Sequence, residues 1–262
     1  MGRGYGQYCP LALAVELLCE RWTLLIISRI MDGCAHFNEI HRGVPRISPS
    51  LLSRRLSQLE HAGIVTRERS QKGRPRRYAL TSAGNELEPI VASLAIWGQS
   101  WARDMSIDDL DPGFLAWSMH MRLDTANMPS GRTVLEFEFT GASPECRRFW
   151  LVNDHGAVDM CLKDPGYDID VKVRADLRLF TEAWRGIRDL RAEIRARRIE
   201  LIGPTTLTRQ FPDWLRLSML APYARRRVGR EECLSRSRRT KFNKPSIGSA
   251  PTAGAPRSTN QH

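Results

Sequence analysis

The chain has 262 residues and a formal net charge of +11, long enough for two domains with cores of their own. Its longest apolar stretches fall well short of the ~18–20 residues that a membrane-spanning helix needs, so no transmembrane helix is expected. Residues 1–105 carry 14 Lys+Arg against 9 Asp+Glu, residues 106–222 carry 16 against 18, and residues 223–262 carry 10 against 2; a polyanion would therefore meet the two ends and not the middle.

The first third reads as helices followed by a hairpin. Pro10 to Leu18 forms a first helix. Glu20 to Met31 forms a second, with Trp22, Leu25, Ile26 and Ile30 on one face and Gly33 past its end. His36 to Arg42 is a short third helix, stopped by Gly43-Val44-Pro45. Ser48 then caps a fourth helix reaching Ala62, with Pro49 at its first position. Leu52, Leu56 and Leu59 give this helix a buried stripe, while Ser50, Arg54, Ser57 and His61 fall opposite. Val65–Arg69 and Arg77–Leu80 are short strands joined by the tip Ser70–Pro75. Thr81 caps a long helix running to Trp101, in which Leu87, Ile90, Val91, Leu94, Trp97 and Trp101 recur at helical spacing. That stripe serves either packing within the domain or pairing with a second copy.

Composition shifts over residues 106–115, a plausible boundary. Beyond it come a helix at Phe114–Arg122, strands at Val134–Phe139, Arg148–Val152, Val158–Leu162 and Ile169–Val173, helices at Asp176–Arg185 and Asp189–Arg197, a strand at Ile199–Ile202, and a short helix through Leu207 to Phe211. Strands grouped ahead of helices predict an α+β domain with an antiparallel sheet. From about Tyr223 the chain is rich in Arg, Ser, Lys, Thr, Pro and Gly, the composition of a disordered basic tail. The expected domains are therefore 1–105, 106–222 and 223–262.

Helix, helix, turn, helix and two-stranded hairpin in this order is a winged helix-turn-helix, mainly α with a two-stranded wing. The Ser48–His61 helix would enter a major groove and read double-stranded DNA, since serine bonds several base edges and arginine grips guanine or phosphate. The expected DNA-facing set is Ser48, Ser50, Ser53, Arg54, Arg55, Ser57 and Gln58 on the helix with Lys72, Arg74 and Arg76 on the wing. Arg54 is the foremost base reader. Arg55 lies on the flank, suited to phosphate or to a packing role.

The cysteines at positions 9, 19, 34, 146, 161 and 233 show neither Cys-x-x-Cys spacing nor a compact disulfide framework. The opening Met-Gly-Arg-Gly-Tyr does not read as a signal peptide. A reducing cytoplasm is the expected location. Enzyme readings find little: His36, His41, His61, His120, His155 and His262 form no metal or nucleophile–base pattern, the Gly2, Gly4, Gly6 run follows no strand, and Asp164, Asp168 and Asp170 lack calcium-loop spacing. No catalytic residue, metal or cofactor is expected.

Residues from Cys9 to about Trp97 resemble the HxlR-type bacterial winged-helix transcriptional regulators. The resemblance is carried by Tyr8-Cys9-Pro10, Glu20-Arg21-Trp22-Thr23-Leu24-Leu25-Ile26, Phe37-Asn38-Glu39-Ile40, Ile47 to Leu56, Leu59 to Val65 and Tyr78 to Gly84. It implies a homodimer, joined through the first helix and the Thr81–Trp101 helix, on palindromic operators. Cys19 departs from the family's usual glycine. Cys9 stands where some relatives carry an oxidant sensor; the start of a helix favours a thiolate, and an inert thiol is the alternative. Residues from about Phe114 to Pro222 resemble, more loosely, the sterol carrier protein-like fold, through Ile169–Arg174, Ala175-Asp176-Leu177, Trp184-Arg185-Gly186-Ile187 and Arg198–Pro204. That implies an apolar cavity for a hydrophobic effector, with Trp150, Phe180, Trp184, Phe211 and Trp214 either walling it or packing an ordinary core. The chain thus reads as a dimeric regulator, expected to repress; the alternative is a hydrophobe carrier whose helical domain mainly dimerises it.

Overall fold

The computed structural model describes residues 4–68 and 77–226. The first helix, α1 (Pro10–Leu18), opens on a proline, whose missing N–H is no loss in a first turn. Helix α2 (Thr23–Met31) starts later than the sequence pattern implies. Trp22 lies at φ 80, in the left-handed region, and breaks the helical run that Glu20 would begin. Helix α3 (Phe37–Gly43) is capped by Glu39, which accepts from the backbone N–H groups of Ala35 and His36 at 2.8 and 2.9 Å. Helix α4 (Pro49–His61) follows, then β1 (Val65–Arg67) and β2 (Tyr78–Leu80), which pair antiparallel with Val65 opposite Leu80. Ile26, Ile27, Ile40, Leu52, Leu56 and Leu59 are fully buried between these elements.

The long helix expected from Thr81 is in fact two. Helix α5 (Ser82–Asn85) ends before α6 (Glu88–Trp101), which carries Pro89 in its first turn. Proline has no N–H for the carbonyl four residues back and crowds it, so a continuous helix would be broken here. Thr81 caps α5, accepting from the Gly84 N–H at 3.1 Å, and its hydroxyl donates to the Gly63 carbonyl at 2.6 Å. Gly84 fits closely below: a β-carbon there would lie 2.3 Å from the Ile64 carbonyl oxygen.

The remaining elements are α7 (Pro112–His120), β3 (Arg132–Thr140), β4 (Arg148–Asp154), β5 (Ala157–Cys161), β6 (Val171–Asp176), α8 (Leu177–Trp184), α9 (Leu190–Arg195), β7 (Ile199–Ile202) and α10 (Thr205–Trp214). The five strands run in the order β5-β4-β3-β6-β7. The sheet is mixed and not antiparallel as expected. β3 and β6 pair in parallel, Phe137 beside Val173, while every other neighbouring pair is antiparallel. The cause is connectivity: β4 and β5 form a hairpin on one side of β3, and the chain then crosses to its other side, which brings β6 up in β3's own direction.

One sheet face carries the core, where Phe137, Phe149, Val173 and Ile199 meet α7 to α10. The opposite face holds Val134, Trp150 and Val152 beside a ladder of charges. Lys172 bonds Glu136 at 3.3 Å and Glu138 at 2.9 Å; Arg174 bonds Glu138 at 3.3 Å and Glu200 at 3.2 Å. The aromatic residues expected to wall one cavity therefore divide. Phe180, Trp184, Phe211 and Trp214 belong to a single packed core, with the Phe211 and Trp214 rings edge to face at 6.3 Å, whereas Trp150 lies across the sheet from them.

Helix α7 joins both layers, which belong to one unit reaching Arg226. Its Leu115, Ala116 and Met119 enter the sheet core, and its Trp117 enters the helix-turn-helix core. There the Arg29 guanidinium of α2 stacks on Trp117, 4.6 Å from the ring centre. Gly43 of α3 leaves the room needed; a β-carbon would lie 3.0 Å from Trp117 Cζ2. A second tie lies at the end of α6. Arg185 donates to Gln99 Oε1 at 2.6 Å, and Gln99 Nε2 donates back to the Arg185 carbonyl at 3.1 Å. Tyr223 to Arg226, expected as the start of the tail, are held at the same place: Arg226 N–H donates to Ser100 O at 3.0 Å and Arg225 to Gln99 O at 3.1 Å. The rest of the expected tail lies outside the described residues.

His120 ends α7 with its Nδ1 buried. Burial chiefly lowers its pKa from the ordinary 6.5; Arg42 on α3 acts in the same direction, while a bond to the Trp117 backbone and Asp159 on β5 oppose it. The native state then binds fewer protons than the unfolded chain once the pH falls below that ordinary value. Stability is full above it and is lost as pH drops. Urea unfolding at about pH 7.5 and about pH 5.5 should show this loss in the wild type and a smaller one in His120→Gln. Equal losses in both proteins would remove His120 as the cause.

Candidate nucleic-acid interface

Helix α4 exists because its inward positions are apolar and its start is capped. Ser48 Oγ accepts from the Leu51 N–H at 3.3 Å, and Pro49 follows at the first position. Before it, Val44 and Ile47 are buried in the turn, and His41 Nε2 donates to the Ile47 carbonyl at 2.9 Å. These contacts fix the angle at which α4 leaves α3.

Outward, α4 presents Ser50, Ser53, Arg54 and Ser57, all exposed, with Ser48 exposed at its start. Ser48 and Ser50 hydroxyls are 3.3 Å apart. Arg54 has no hydrogen-bond or ion-pair partner among the described residues. The surface is therefore one of short hydroxyls beside one exposed arginine, on the outer face of the helix. Lys72, Arg74 and Arg76, expected on the wing, lie outside the described residues.

Arg55 is a correction to the expected set. It is only 6% exposed and turns inward. Its Nε donates to the Arg21 carbonyl at 3.1 Å, and its terminal nitrogens donate to Gln58 Oε1 at 2.8 Å and Glu20 Oε2 at 2.5 Å. Gln58 is thereby occupied and half-buried. Arg55 ties α4 to the α1–α2 junction, where Arg21 also stacks on the strained Trp22 at 4.9 Å. Sequence periodicity placed Arg55 on a flank but gave no sign of Glu20 and Arg21; only the Glu20-Arg21-Trp22 cluster, unusual in ending one helix and opening the next, marks the spot.

Arg55→Ala should cost about 2 kcal/mol of stability in urea unfolding, for the loss of charge-assisted bonds and the stranding of their acceptors. The figure is below that of a fully buried pair because the Glu20 side chain is 50% exposed and solvated. Arg55→Lys should recover little, since a lysine cannot span three separated acceptors. A loss under about 0.5 kcal/mol would show that the tie carries no weight.

Thiols differ sharply in setting. Cys34 is buried, and burial, with Asp32 and Glu39 nearby, pushes it up to about 11 against the pull of Arg29. Cys161 is also raised, chiefly by burial. Cys9, directly ahead of α1, is exposed, as are Cys19 and Cys146. Among the described residues, no group of three or more His, Cys, Asp or Glu could hold a metal ion, and no helix is long and apolar enough to cross a membrane.

Comparison with known proteins places these features in context. The model of the HxlR-like helix-turn-helix family matches residues 17–106. The HTH-type transcriptional regulator YvaP of Bacillus subtilis is 34% identical over 111 residues, spanning 42% of this chain and 95% of YvaP. The HTH-type transcriptional regulator YodB of the same species is 35% identical over 95 residues, 36% of this chain and 85% of YodB. Among solved structures, the redox regulator HypR in its reduced form is 34% identical with a TM-score of 0.33, covering 34% of this chain and 90% of HypR. The residues that cap α3 and α4, bury Leu52, Leu56 and Leu59, and join β1 to β2 all lie inside the matched segment, and the chain belongs to the HxlR-like helix-turn-helix family of transcriptional regulators.

Proposed function

We propose that the chain is a homodimeric, sequence-specific DNA-binding regulator that represses transcription from palindromic operators. Each copy lays α4 in the major groove. Arg54 reads a base, Ser50, Ser53 and Ser57 make shorter contacts, and Lys72, Arg74 and Arg76 track the neighbouring phosphates. The observation carrying this reading is the outward face of α4, where Arg54 stands exposed among hydroxyls and has no partner among the described residues. Dimerisation through α1 and α6 rests on the apolar side chains left in solvent there. Ile90, Leu94, Trp97 and Trp101 are each close to half exposed or more, and Leu11 and Leu13 of α1 are exposed with them.

A gel-shift titration against the DNA upstream of the chain's own gene tests the proposal. Specific binding should weaken steeply with salt. Arg54→Ala should lose roughly 10- to 100-fold for the specific site and little for random DNA. Lys72→Ala should lose affinity evenly across sequences. Equal, sequence-independent losses from both changes would refute the division of labour, and absence of a specific shift would refute the reading as a whole. Repeating the titration after mild oxidation tests Cys9, the exposed thiol on the proposed dimer helix; unchanged affinity with no disulfide between copies would exclude it as a sensor.

A further inference from the structure

Beyond the segment that the family model matches, the chain contains a concave surface, far in sequence from α4. It is an open groove of about 520 Å³ between α9, the edge strand β7 and α10. That volume falls in the range of small-molecule sites. Ile194, Leu201 and Pro212 give it an apolar floor, and Arg191, Arg195, Arg197 and Arg209 surround it. Four arginines converge here although residues 106–222 as a whole carry more Asp+Glu, 18, than Lys+Arg, 16.

The pairing of these charges is the telling feature. Arg191 bonds Asp213 at 2.5 Å. Arg195, Arg197 and Arg209 have no side-chain partner among the described residues. Glu200, the one acid in the lining, is engaged by Arg174 at 3.2 Å on the sheet face. So three arginines of the lining have no acid partner among the described residues, and each leaves a guanidinium free to take up an anion. Arg191 and Arg195 lie four apart and share a face of α9. Arg197 follows at φ 57, in the left-handed position where a helix end commonly has glycine. An arginine there keeps a backbone strain that glycine would relieve, at a position that lines the groove.

We propose that this groove binds a small organic anion with an apolar body: a carboxylate gripped by Arg195, Arg197 and Arg209, carried on an alkyl chain or aromatic ring that covers Ile194, Leu201 and Pro212. Bidentate guanidinium contacts fix the head, and the floor removes the body from water. The proposal does not depend on the DNA-binding reading, because binding is measured directly.

Calorimetric titration of the full chain with decanoate, 2-naphthoate, decanol and inorganic phosphate tests it. Decanoate or 2-naphthoate should bind saturably at one site per chain, and more tightly than either decanol or phosphate. The double variant R195A/R209A should bind the carboxylate at least about tenfold more weakly. Both side chains are exposed, so its thermal unfolding should match the wild type. R147A, at an exposed arginine outside the groove, should bind as the wild type does. Failure of both carboxylates to saturate a site, equal binding of decanol or phosphate, an unaltered affinity in R195A/R209A, or an equal loss in R147A would each overturn the proposal.

Discussion

Trp97→Glu should convert the protein to monomers and weaken operator binding by about a hundredfold or more, while leaving its fold unchanged. Trp97 is 60% exposed on α6, so a glutamate there meets water in the isolated chain and disturbs no core. Ile90, Leu94 and Trp101 line up with it along one side of the helix. In a dimer, each side chain would bury its exposed half, contributing about 1 kcal/mol. Two glutamates facing one another across a two-fold seam would oppose that gain with a charge at its centre. A monomer holds one half-site, and the second α4 no longer binds as though already tethered. Sedimentation and gel-shift on the same sample check both halves of the expectation. A dimeric Trp97→Glu protein with wild-type affinity would place the seam elsewhere. A monomeric one with wild-type affinity would show that one copy suffices.

What the sequence made legible follows the range of each interaction. Helix α4 could be read almost residue by residue because its cap, its proline and its leucine stripe are local signals. The β1–β2 pairing was equally plain from the short runs on either side of a glycine- and proline-bearing tip. The break between α5 and α6 was also available, at Pro89, but the apolar stripe that continues across it drew the helix through. The parallel pairing of β3 with β6 was not legible. Nothing in Val134–Phe139 or Ile169–Val173 says on which side of β3 the later strand will add; that depends on where the β4–β5 hairpin has already gone. Arg55 was left open between phosphate and packing for the same reason on a smaller scale: spacing put it on the flank, and the partners that decide for packing, Glu20 and Arg21, are 35 and 34 residues away. Among the expected interface residues that are described, those left on the surface, Ser48, Ser50, Ser53, Arg54 and Ser57, are the ones whose placement needed only the cap signal or helical spacing.

Trp117→Ala should cost about 3–5 kcal/mol, the range for removing a buried tryptophan. The residue is 5% exposed, and its role is wider than its own contacts. The same short helix sends Leu115, Ala116 and Met119 into the sheet core, so α7 cannot shift toward the helix-turn-helix core to fill the hole without withdrawing them. Arg29 loses the ring on which its guanidinium stacks, and keeps Asp32 at 3.2 Å as its ion partner. With α7 shared, the two layers of the wild type should unfold by urea in one transition. In Trp117→Ala the coupling weakens, and the helix-turn-helix layer, whose core has lost its largest member, should unfold first. Tyrosine and tryptophan fluorescence would then give a different midpoint from far-ultraviolet circular dichroism. A single coincident transition with less than about 1 kcal/mol lost would mean that the layers are joined by the Gln99–Arg185 tie and not by α7. Loss of that tie, in Gln99→Ala, should then separate the transitions instead, which distinguishes the two joints on one protein.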